Sequence, residues 1–125
     1  MAKVELSTAL SSWLERVSAK EEPPKSVVAF NVGLLETEDG YSAYLVGADR
    51  FDEDDSDWAC EESFTPKERY LAIPRGTFKK WEAVQAAVVD ATRKFLTSAV
   101  GKKSFLAKAK AVTVGFDDGD LERVK

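Results

Sequence analysis

Two runs of alternating apolar residues, separated by an Asp-Gly pair, constrain this chain more than any other feature. In the segment 26–36, Val28, Phe30, Val32 and Leu34 alternate with smaller or polar residues. In the segment 41–48, Tyr41, Ala43 and Leu45 share one face, while Tyr44 and Val46 share the other. Period-two alternation places one side of each segment against a core. Between them, Glu38-Asp39-Gly40 is a turn in which Asp-Gly supplies the positive φ of a tight hairpin. A lone hairpin is marginal in water, so further elements must cover its apolar face.

Those elements are legible on both sides. Leu6, Leu10, Trp13, Leu14 and Val17 recur at helical spacing and predict an amphipathic helix over 4–20, ended at Pro23-Pro24. A second helix is predicted over 77–100, with Thr77 as N-cap and Gly101 as stop. Its buried stripe runs through Phe78, Trp81, Val84, Val88, Ala91 and Phe95, widened by Val89 and Leu96. The segment 102–110 reads as a short helical piece or coil. Further strands are predicted over 68–73, 111–116 and 121–124, the last two joined by a second Asp-Gly turn at 117–120. Gly33 and Gly47 fall inside strands, which points to bulges or to close packing by a helix. The order α-β-β-β-α-β-β predicts an α+β fold of two layers. It consists of a mainly antiparallel sheet of about five strands with two helices packed on one face.

At 125 residues and 44% hydrophobic content, residues 1–125 suit a single domain with its own core. The first six residues lack the apolar run of a signal peptide, and no stretch approaches the ~20 apolar residues of a membrane span. With one cysteine, Cys60, no internal disulfide is possible. These features lead us to expect a cytoplasmic protein of a reducing compartment.

Catalytic options are few. The chain has no histidine, which removes histidine-dependent triads, Cys-His dyads and HExxH zinc sites. Cys60 lies amid Asp57, Glu61 and Glu62, surroundings that oppose a nucleophilic role, and is expected to be a half-buried structural residue. The seven glycines match no phosphate-binding fingerprint, so no cofactor is expected. The chain is read as a non-enzyme.

The charge is concentrated. Asp49, Asp52, Glu53, Asp54, Asp55, Asp57, Glu61 and Glu62 lie within fourteen residues and are opposed there only by Arg50. That segment carries −7 in a chain of net −4, leaving +3 for the remainder. Such a field repels nucleic acid and anionic membranes, and attracts a basic protein surface or a cation. Asp52, Asp54 and Ser56 have the first spacings of an EF-hand, but Asp57 stands where glycine is required and Ser63 where glutamate is. Lys79, Lys80, Lys102, Lys103, Lys108 and Lys110 read as a solvated face rather than a nucleic-acid surface. The loop also contains Phe51, Trp58 and Phe64, expected to turn inward and pin it, with Trp58 doubling as a partner anchor.

The acidic stretch Asp52-Glu53-Asp54-Asp55-Ser56-Asp57-Trp58-Ala59-Cys60, followed by the ending Val112-Thr113-Val114-Gly115-Phe116-Asp117-Asp118-Gly119-Asp120-Leu121, resembles small bacterial immunity proteins encoded beside polymorphic toxins. The resemblance implies a non-catalytic protein that binds and neutralises one cognate toxin. Many such toxins are nucleases with basic substrate-binding surfaces, which an acidic loop would plug. The partner-binding residues it implies are the eight loop acids and Trp58, with Asp117, Asp118 and Asp120 as secondary members. The rival reading is a small regulatory or ligand-binding module with an apolar pocket, or with a nonstandard cation site in the acidic loop.

Overall fold

The expected hairpin forms the middle of the sheet. In the computed structural model, which describes residues 3–74, 78 and 80–125, β1 (Ala29–Thr37) pairs antiparallel with β2 (Gly40–Ala48). The register runs from Ala29 opposite Ala48 to Thr37 opposite Gly40. Glu38 and Asp39 make the turn, and the positive φ falls on Gly40 at the start of β2. β3 (Tyr70–Pro74) extends the hairpin on the β2 side. β4 (Ala111–Phe116) lies on the other side of β1, and β5 (Glu122–Arg123) turns back along β4. The strand order is β3-β2-β1-β4-β5.

The α+β class, the five strands and the mainly antiparallel sheet match expectation, and the one parallel pairing makes the sheet mixed. β4 runs parallel to β1, from Ala29 beside Ala111 to Leu34 beside Phe116. A parallel neighbour can be reached only through a long crossover, and the helical segment before β4 provides it. Every residue of β4 is buried, as befits a strand covered on both faces.

α1 (Lys3–Lys20) and α2 (Trp81–Thr97) cover one face. Leu6, Leu10, Trp13 and Leu14 of α1, with Val84, Val88 and Phe95 of α2, meet Phe30, Val32, Leu45 and Val114 of the sheet in the main core. The Trp13 indole N–H donates to the Glu68 carbonyl at 2.7 Å, tying α1 to the chain entering β3.

The second helix departs from expectation at both ends. Thr77 lies outside the described residues. α2 begins at Trp81, which is 53% exposed rather than part of the buried stripe. As the first helical residue, Trp81 stands at the edge of the helix–sheet contact. Phe78 precedes the helix but is buried. At the far end α2 stops at Thr97, and Ser98, with ψ 162°, turns the chain into α3 (Ala99–Lys103). The Ser98 hydroxyl accepts from the Gly101 N–H at 3.0 Å, capping α3. Gly101 is therefore not the stop but an interior helical residue. A Cβ there would sit 1.7 Å from the Phe95 carbonyl oxygen, so only glycine permits the approach. α4 (Phe105–Lys108) completes the crossover.

The opposite sheet face carries no helix among the described residues. It presents small side chains: Ala29 and Gly33 of β1, Ala48 of β2, Ala111 of β4. The connection 49–69 covers one end of it as a partial third layer, with Trp58 packed among Ala29, Ala48 and Ala111. Midway, the buried Thr113 hydroxyl donates to Asn31 Oδ1 at 2.9 Å. Further along, the Tyr44 ring lies over Gly33, where a Cβ would come 2.1 Å from the ring carbon bearing the hydroxyl. Gly33 thus makes room for an aromatic ring and not for a helix.

Candidate protein-binding surface

The acidic loop is held from several sides. Trp58 lies in a single 3-10 turn, Ser56–Cys60, and is 1% exposed. Phe51 meets it edge-to-face, ring centroids 5.2 Å apart. Phe64 points to the other side of the sheet and joins Phe30 and Phe105 at 6.4 and 5.9 Å. Its backbone bonds Gly47 in both directions, at 2.8 and 3.0 Å. The three aromatics pin the loop as the sequence suggested. Trp58 does so from the interior, so its ring presents no anchor to a partner and its role is to position the acids.

Two acids fold the loop locally. Asp52 Oδ1 accepts from the Asp54 N–H at 2.9 Å, and Asp55 Oδ1 accepts from the Asp57 N–H at 3.0 Å, capping the 3-10 turn. Three others meet arginines. Glu61 pairs with Arg50 and Glu62 with Arg69, both at 2.7 Å, and Glu53 pairs with Arg123. The Arg50 guanidinium is shifted upward, first by its hydrogen bond to Glu61. These pairs are solvent-exposed and add little to stability. They do redistribute charge: Arg69 and Arg123 enter from outside the segment and bring its −7 to −5 locally. Arg123 also lies over the Phe51 ring at 5.0 Å and donates to the Lys110 carbonyl at 3.1 Å. It thereby ties the loop to the chain ending.

Asp49 lines a separate cleft, which it shares with Lys25, Arg50, Lys108 and Lys110. What remains is an acidic edge of Asp52, Asp54, Asp55 and Asp57, all exposed. Among the described residues, Asp54 and Asp57 have no side-chain hydrogen bond or ion pair. Asp120 joins this edge: with Asp52 and Asp54 it lines a cleft of about 450 Å³ walled by Phe51, Trp58 and Leu121. Asp117 and Asp118 do not. They border a separate cleft beside Trp81. The Tyr44 hydroxyl donates to the Asp117 carboxylate, and burial foremost, then this bond and the nearby charge, push the Tyr44 phenol well above its ordinary range.

Compared with protein-family models, characterised proteins and solved structures, the chain matches none. Its function is therefore argued from its own geometry.

Cys60 is exposed at the end of the 3-10 turn, not half-buried as expected, because the turn directs Trp58 inward and leaves Cys60 on the solvent side. Among the described residues, no three acidic or thiol side chains converge as a metal site would require. Within the same residues, no helix is long and apolar enough to cross a membrane. Sequence reading missed Arg123 altogether. It lies 70 positions from Glu53, and nothing local signals the pairing.

Proposed function

We propose that this chain is a non-catalytic binding protein whose acidic edge, Asp52, Asp54, Asp55 and Asp57 with Asp120, docks onto a basic surface of another protein. In the form suggested by its resemblance to immunity proteins, the partner is a toxin encoded beside it, and binding neutralises that toxin. A nuclease fits best, because aligned carboxylates mimic the phosphates its basic cleft receives.

One observation carries this reading: the carboxylates are held in place without being consumed. Buried Trp58, the Phe51 ring edge-to-face with it and the crossing Arg123 order the loop. Asp54 and Asp57 meanwhile keep no partner among the described residues. An ordered loop loses little freedom on docking, and charge complementarity accelerates encounter.

The test is the double variant Asp54→Lys with Asp57→Lys, with binding kinetics measured against the product of the adjacent gene. The association rate is expected to fall about tenfold or more at low salt and to lose most of its salt dependence. Stability should stay within about 0.5 kcal/mol of the parent. Asp55→Ala provides the contrast: it removes the turn cap and costs about 1 kcal/mol. Unchanged association and salt response in the double variant would remove the reading.

A further inference from the structure

On the other flank of the β4–β5 turn lies a cleft of different chemistry. Trp81, although half exposed, stands edge-on to Phe116 with ring centroids 5.7 Å apart and planes at 80°. Phe116 meets Tyr41 at 6.0 Å. With Leu35 these rings wall a space of about 580 Å³, within the range of sites that enclose a ligand group. Asp117 and Asp118 stand on its border. Asp117 is fixed twice, by the Tyr44 hydroxyl at its carboxylate and by its own N–H donating to the Leu34 carbonyl at 3.1 Å. The Asp118 carboxylate is exposed and has no partner among the described residues.

An aromatic wall beside a carboxylate border selects a group with an apolar stem and a positive head. A neutral apolar ligand would desolvate the acids without pairing them, and an anion would be repelled. A bare cation would gain nothing from Leu35. Lysine and arginine side chains carry both parts. Of the two, the guanidinium also stacks over indole and pairs with a carboxylate through two parallel hydrogen bonds.

We infer that the cleft formed by Trp81, Phe116, Asp117 and Asp118 receives an arginine side chain projecting from a basic partner protein. This rests on the reading of the acidic edge as a docking surface, because Asp120 of the same turn belongs to that edge. The same partner, seated on the edge and spanning the turn, is inferred to place one side chain in the cleft.

The probe is a blocked Gly-Arg-Gly peptide, compared with the same peptide carrying citrulline, the neutral isostere. Indole N–H resonances report the outcome: Trp13, 0% exposed, serves as the internal reference for Trp81, and Trp58, which walls the acidic cleft, reports binding at the edge. The arginine peptide should shift the Trp81 resonance saturably and leave Trp13 still, and the citrulline peptide should leave Trp81 unmoved. Asp118→Asn, which keeps the side-chain shape, should weaken the response about fivefold or more through loss of a charge-assisted bond. Equal shifts with both peptides would overturn the inference. So would an arginine response confined to Trp58 with Trp81 unmoved, a result that would leave the docking edge standing.

Discussion

Trp58 and Ala48 lie buried in one cluster on the sheet face opposite α1 and α2. Ala29 and Ala111 complete the bed, so three adjacent strands give up side-chain volume to seat one ring. The ring in turn holds a loop rich in mutually repelling charges close to the sheet.

Trp58→Ala should accordingly cost about 3–5 kcal/mol, the range for removing a large buried aromatic. Urea denaturation measures it. Trp58→Phe should recover part of the loss. If Trp58→Ala cost less than about 1 kcal/mol, the ring would not be what anchors the loop.

The Tyr44–Asp117 bond makes a prediction at alkaline pH. The folded state raises the phenol above its unfolded value of 10.0, chiefly by burial and then through Asp117. A group with a raised folded value binds its proton more tightly when folded. Its contribution is therefore fully present below pH 10 and is lost as pH rises toward the folded value. Tyr44→Phe should show a flatter stability profile above pH 10 than the parent and a parallel one below it, as read by chemical denaturation across pH. Gly33→Ala should displace the ring, since a Cβ would occupy its place, and should abolish the difference between the two profiles.

Gly101→Ala tests the junction of α2 and α3. The new methyl would meet the Phe95 carbonyl, a backbone atom that cannot rotate away. A loss of about 1–3 kcal/mol is expected from the forced backbone shift, with a lowered melting temperature as the readout. In an exposed helix the same substitution would stabilise, so the sign alone discriminates.

The two tryptophans outside α1 differ in how far the sequence placed them. Trp81 fits the apolar stripe of α2 and is expected to be buried with it, whereas Trp58, expected to turn inward from among the acids, does so. Periodicity reports which residues share a helix face, but not where the helix begins or how far the sheet beneath it extends. α2 starts at Trp81, so the ring lies at the border of the contact and is left half in solvent. Nor does loop composition reveal that three alanines on separate strands leave a space the size of an indole.

The sequence by itself determined the β1–β2 hairpin, the α1 stripe, the strand over 111–116 and the concentration of acids. Each depends on residues a few positions apart, where alternation, turn chemistry and charge density act directly. Only the tertiary structure decided that β4 runs parallel to β1 and that the acids divide into separate groups. Glu53 finds Arg123, Asp49 shares a cleft with the lysines, Asp117 accepts from Tyr44 and with Asp118 borders the cleft beside Trp81, and Asp120 joins Asp52 and Asp54. These partners are brought together by strand order and by the ring beneath the loop, and no propensity of a local segment encodes them.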